Sequence, residues 1–99
     1  PYLRTPEHLS QSQRIDLMAE IVDVVGKASQ LSEYPIVTSQ ILCMHSRLPY
    51  EVNRAIVDLA AQKREYVCAV DVAGGDGHYA ERLEEFVQLY AHARSLGLN

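Results

Sequence analysis

With 99 residues the chain is the size of one small domain, and 47% hydrophobic against 22% charged is ordinary for a globular protein. A formal net charge of −4, with the nine basic residues scattered rather than striped, argues against nucleic acid as a partner. No apolar run approaches membrane-spanning length, so no membrane partner is expected, and the cytoplasm is the expected compartment.

Pro1 to Ser10 holds two prolines and no periodicity and reads as a loop entering a helix. From about residue 11 to 32, Ile15, Met18, Ile21, Val22, Val25, Ala28 and Leu31 recur at three- and four-residue spacing, an amphipathic helix with Asp16, Glu20, Asp23 and Lys27 on its other face. Gly26 is a weak point in its interior, costing about 1 kcal/mol against Ala if solvent-exposed.

Residues 36–44, β-branched at the start and apolar at the end, predict a strand, after which His45, Ser46 and Arg47 place polar side chains at its C-terminal end. Pro49 opens a second helix running to about residue 63, with Glu51 favourably in the first turn and Val52, Ala55, Ile56, Leu59 and Ala60 as its apolar face.

Residues 66–72 are too short and too rich in valine for a helix and predict a fully buried strand carrying Asp71 near its C-terminal end. The strand breaks at Ala73-Gly74-Gly75-Asp76-Gly77, where glycine permits positive φ and close approach to the backbone. A third helix over about 80–96 presents Leu83, Phe86, Val87, Tyr90 and Ala91 on one face, with Tyr79, Phe86 and Tyr90 as core, and Gly97 fits the position after its C-cap. Cys43 and Cys68 lie within apolar runs and are expected as buried free thiols; His8, His78 and His92 are expected to face solvent.

Helix, strand, helix, strand, helix implies βαβ units and parallel strands. Two parallel strands with helices on one face are not a stable sheet by themselves, and both chain ends look cut; the order fits a slice of a (β/α)8 TIM barrel that needs the rest of its own barrel. In such folds ligands bind where strand C-terminal ends and helix N-termini converge.

Ser39-Gln-Ile-Leu-Cys-Met and Val67-Cys-Ala-Val-Asp-Val-Ala-Gly-Gly-Asp resemble two adjacent strands of the adenosine deaminase family, and Ala91-His-Ala-Arg-Ser-Leu-Gly-Leu98 is similar to that family's stretch before its His-Ala-Gly-Glu strand. The resemblance runs through nearly the whole chain in order and implies the third and fourth strands of the barrel. It implies a zinc-dependent hydrolase that converts adenosine to inosine, zinc-bound hydroxide attacking C6 of the purine nucleoside.

The family's zinc ligands and catalytic acid lie outside this segment, so the chain is expected to supply neither a metal ligand nor a catalytic residue. Gly74 matches the glycine whose backbone N–H bonds the purine, Ala73 matches a small residue of the same pocket, and His45 stands where the family has a pocket-lining Met. Asp71 is either a turn carboxylate or a group orienting a metal-ligating His on a neighbouring strand. Two alternatives stand beside this reading. One is a related deaminase of AMP or N6-substituted AMP, for which Arg47 is the candidate phosphate-binding residue; the other is a non-catalytic helical interaction module.

Overall fold

The structure, a computed structural model, describes residues 2, 5–31, 39–74 and 81–98. Among these residues the chain is an α/β domain of three helices and two parallel strands in the order α1 (Gln11–Gln30), β1 (Gln40–His45), α2 (Tyr50–Gln62), β2 (Val67–Ala73) and α3 (Leu83–Ser95). The parts of the expected elements at residues 32, 36–38 and 80 lie outside the described residues. Both strands run one residue further than expected, through His45 and Ala73, and β2 starts at Val67 because Tyr66 closes a turn onto Lys63.

A reciprocal cap starts α1: Ser10 Oγ accepts from the Gln13 N–H at 3.1 Å while Gln13 Oε1 accepts from the Ser10 N–H at 2.9 Å. Ahead of the cap, the buried Tyr2 is held by Arg14, whose guanidinium lies 4.2 Å over the ring, donates to the Tyr2 carbonyl at 3.1 Å and reaches Thr5 Oγ1 at 2.7 Å. The buried face of α1 is narrower than its apolar pattern. Met18, Val22 and Gly26 are buried, whereas Ile21, Val25 and Leu31 are 36%, 43% and 84% exposed. The helix packs along one side, against α2, and a second apolar stripe around Ile21, Val24 and Val25 meets no covering element among the described residues.

Gly26 is not the solvent-exposed weak point that its sequence suggests. It is buried, and a Cβ there would lie 2.3 Å from the Tyr66 ring. Replacing an exposed helix glycine by alanine ordinarily stabilises by roughly 0.5–1 kcal/mol. Here Gly26→Ala is expected to destabilise by about 1–3 kcal/mol, the range for overpacking a close contact. Urea unfolding measures it, and Tyr66→Ala in the same chain should remove the penalty; a Gly26→Ala chain as stable as the parent refutes the contact.

The helix α2 is the centre of the fold, touching α1, α3 and both strands. Its Val52, Ile56, Val57, Leu59 and Ala60 form a core with Leu42, Met44, Val67 and Val70 from the sheet and Phe86, Leu89 and Ala93 from α3. On α3 the buried stripe is therefore Phe86, Leu89 and Ala93, with Tyr90 partly buried beside it, and the expected face members Leu83 and Val87 are 49% and 58% exposed. Gly97 closes α3 as expected: its φ is +84°, and the Leu98 N–H returns to the Ala93 carbonyl at 3.0 Å. An ion pair, Lys63 to Asp23 at 2.9 Å, and a hydrogen bond between His92 Nε2 and Asp58 Oδ1 at 2.7 Å tie the helices, so His92 packs between α2 and α3 rather than facing solvent. Tyr79 and His78 lie outside the described residues, and His8 is exposed.

The register pairs Ile41 with Ala69, Leu42 with Val70, Cys43 with Asp71, Met44 with Val72 and His45 with Ala73. Leu42, Met44 and Val70 turn to α2 and are buried; Ile41, Cys43 and Asp71 occupy the opposite face and are exposed, Ile41 at 55%. The expectation of a fully buried second strand is thus corrected to a half-buried one. Cys43 and Cys68 are free, as expected, but exposed rather than buried, because no element among the described residues covers that face or the start of β2.

Candidate functional site

The two strands end side by side, and their ends bring three of the expected site residues together. His45 and Ala73 are register partners, the Ser46 N–H donates to the Ala73 carbonyl at 2.8 Å, and Gly74 follows at once. Gly74 has φ +122°, a conformation only glycine adopts at low cost. A Cβ on Gly74 would lie 1.9 Å from Ser46 Oγ and 3.2 Å from His45 Cε1. The glycine is therefore required by the turn itself and by the Ser46 side chain, before any ligand is considered. Gly75, Asp76 and Gly77 of the same turn lie outside the described residues.

Asp71 stands two residues back, on the uncovered face opposite Cys43, where its Oδ1 accepts from the Val72 N–H at 2.8 Å. Its carboxylate thus fills a local backbone role and stays solvent-exposed. His45 Nδ1 accepts from the Arg47 N–H at 3.1 Å.

Three further residues build this rim; Asn53 and Arg82 were not singled out in the sequence, and Ser46 only as a polar residue at the strand end. Asn53, fully buried on α2, accepts the His45 N–H at 3.0 Å through Oδ1 and donates through Nδ2 to the His45 carbonyl at 3.0 Å and the Leu48 carbonyl at 3.3 Å. Arg82, just before α3, donates through Nη1 to the Ser46 and Leu48 carbonyls at 2.7 and 2.6 Å, and through Nε and Nη2 to the two Glu85 oxygens at 2.9 and 3.1 Å. Hydrogen bonding to Glu85 raises the Arg82 pKa, and the same bond holds the Glu85 carboxyl below its ordinary range. Ser46 Oγ, the third, is buried and has no hydrogen-bond partner among the described residues. Asn53 carried a readable signal, since it lies three and four residues before Ile56 and Val57, inside the buried arc of α2. Arg82 had none: nothing local marks an arginine whose partners lie 34 and 36 residues away.

Among the described residues no three His, Cys, Asp or Glu side chains stand close enough together to hold a metal ion. A shallow cleft of about 270 Å³ opens between the first turns of α1 and α2, over Ile15 and Val52 and beside Asp16 and Glu51, and none of the rim residues lines it. No helix among the described residues is long and apolar enough to cross a membrane.

The chain matches no family model, no curated protein and no solved structure. What it does must be argued from its own residues.

Proposed function

We propose that this chain forms the third and fourth strands, with their flanking helices, of a (β/α)8 barrel in a zinc-dependent adenosine deaminase. The observation that carries the reading is the rim: His45, Ala73 and Gly74, singled out in the sequence as purine-facing, meet at the C-terminal ends of two parallel strands. That end of a parallel sheet is where α/β barrels bind their ligands. The one-sided sheet agrees, because Ile41, Cys43 and Asp71 would face a barrel interior once the remaining strands stood beside them.

In this reading the Gly74 N–H and the small Ala73 side chain receive the purine edge, His45 lines the pocket, and Asp71 lies behind them, able to orient a histidine on a neighbouring strand. The zinc ligands and the acid that protonates the ring come from outside these 99 residues. Exposed Arg47, next to His45 and without an ion pair among the described residues, favours a second reading in which the purine carries a phosphate.

The test starts with the coding sequence on either side. A His-x-His pair upstream and His-Ala-Gly-Glu directly after Asn99 are expected, and the protein so encoded should convert adenosine to inosine, a reaction followed by the change in purine absorbance. The 99-residue chain alone should neither bind zinc tightly nor turn adenosine over. Flanks without those histidines, or an encoded protein inert toward adenosine and AMP alike, would overturn the reading.

A further inference from the structure

We infer that Arg82 is a positioning residue for the purine rim, an assignment that rests on the reading above. Its guanidinium stands at the head of α3, yet its bonds go backward across the fold. One nitrogen bridges the Ser46 and Leu48 carbonyls at 2.7 and 2.6 Å, the loop that carries His45. The remaining donors are held by Glu85 as a fork at 2.9 and 3.1 Å, and the cation lies 5.3 Å from the centre of the Phe86 ring.

The loop it grips is the one that sets the Gly74 turn. The Ser46 N–H holds the Ala73 carbonyl at 2.8 Å, and Ser46 Oγ occupies the space beside the Gly74 Cα where a Cβ would otherwise sit. A displacement of Ser46 is therefore transmitted to Ala73 and Gly74 by direct contact. Asn53 fixes the same loop from below through His45 and Leu48, so the Leu48 carbonyl is shared between the two clamps. Asn53 belongs to the buried core, whereas Arg82 is half-buried at its edge, over the Phe86 ring. Removing Arg82 loosens the rim and leaves the core contacts of α2 in place.

Lysine cannot replace it. A single ammonium can reach the two carbonyls or the carboxylate, but it lacks the planar fork that holds both at once. In the encoded full-length protein, assayed well below the melting temperature of each variant, Arg82→Met should raise KM for adenosine about tenfold with kcat little changed, since a loosened contact surface weakens binding of ground state and transition state alike. Arg82→Lys should fall between, and it carries the test if Arg82→Met does not accumulate folded. A melting temperature that drops while KM stays within about twofold in both variants makes the role structural only and overturns the inference. An inactive wild type overturns the deaminase reading and this assignment with it, an outcome distinct from an active wild type indifferent to Arg82.

Discussion

Gly74→Ala is expected to destabilise the fold by about 3 kcal/mol or more, from two sources that can be separated. Placing a side chain at φ +122° costs on the order of 1–3 kcal/mol in backbone strain. The added Cβ would also lie 1.9 Å from Ser46 Oγ, and relieving such a contact in a packed turn costs a further 1–3 kcal/mol, roughly. Ser46→Gly empties that space, so the same Gly74→Ala change made in the Ser46→Gly chain should cost only the strain, about half the original penalty. A double-mutant cycle in urea, followed by circular dichroism, gives both numbers. Equal penalties in the two backgrounds would show that Ser46 does not press on the turn. The experiment also bears on how Gly74 is read. Any substitution there removes the turn before it tests a ligand, so loss of purine binding in such a variant says nothing about the Gly74 N–H.

How far the fold could be read depended on whether burial was decided locally. The helix α2 was legible because Val52, Ile56, Leu59 and Ala60 form one continuous stripe covered by α1, α3 and both strands. Gly97 was legible because a positive φ after a helix is a local requirement. The capping box Ser10-x-x-Gln13 was there to be read as well, as a pattern of spacing alone.

Burial of the sheet was not local. The run Val67-Cys68-Ala69-Val70 looks apolar throughout, yet its exposed members are small, and leaving Cys68 and Ala69 half-open or open costs little. A strand of Val and Ile on both faces could not have been left in that state so cheaply. α1 and α3 failed in a related way. Each carries two apolar stripes, Met18-Val22 beside Ile21-Val25 and Phe86-Leu89-Ala93 beside Leu83-Val87, and periodicity cannot say which of two stripes meets a neighbour. Of the site, the sequence picked out the residues at the strand ends and missed the clamps that hold them. Arg82 acts over a distance in sequence and reads locally as part of a solvated face, whereas Asn53 lies inside the buried arc of α2 and only its polar side chain hid it.

Asn53→Asp tests the other clamp and should have an effect of similar size, with a signature of its own. Asn53 is fully buried, and its amide is used at both ends: Oδ1 accepts from His45 N–H, and Nδ2 donates to the His45 and Leu48 carbonyls. A carboxylate of the same shape keeps the acceptor and turns the donor into a second acceptor facing two carbonyl oxygens. Losing buried hydrogen bonds while leaving polar groups unpaired costs about 1–3 kcal/mol each, and an uncompensated charge adds to that, so about 3 kcal/mol or more is expected at neutral pH. The sign with pH follows from linkage. Burial against carbonyl oxygens raises the pKa of the introduced carboxyl in the folded state above its unfolded value of about 3.9. The folded state then binds the extra proton first, so the deficit relative to wild type is full at neutral pH and shrinks as pH falls through the raised value. Below that value the protonated carboxyl again donates to one of the two carbonyls. Asn53→Ala, which has no titrating group, should show a deficit that does not move with pH. Urea unfolding of the two variants and the wild type between pH 4 and pH 8 makes the comparison; a pH-independent difference between Asn53→Asp and wild type would mean that the amide does not grip the loop as described.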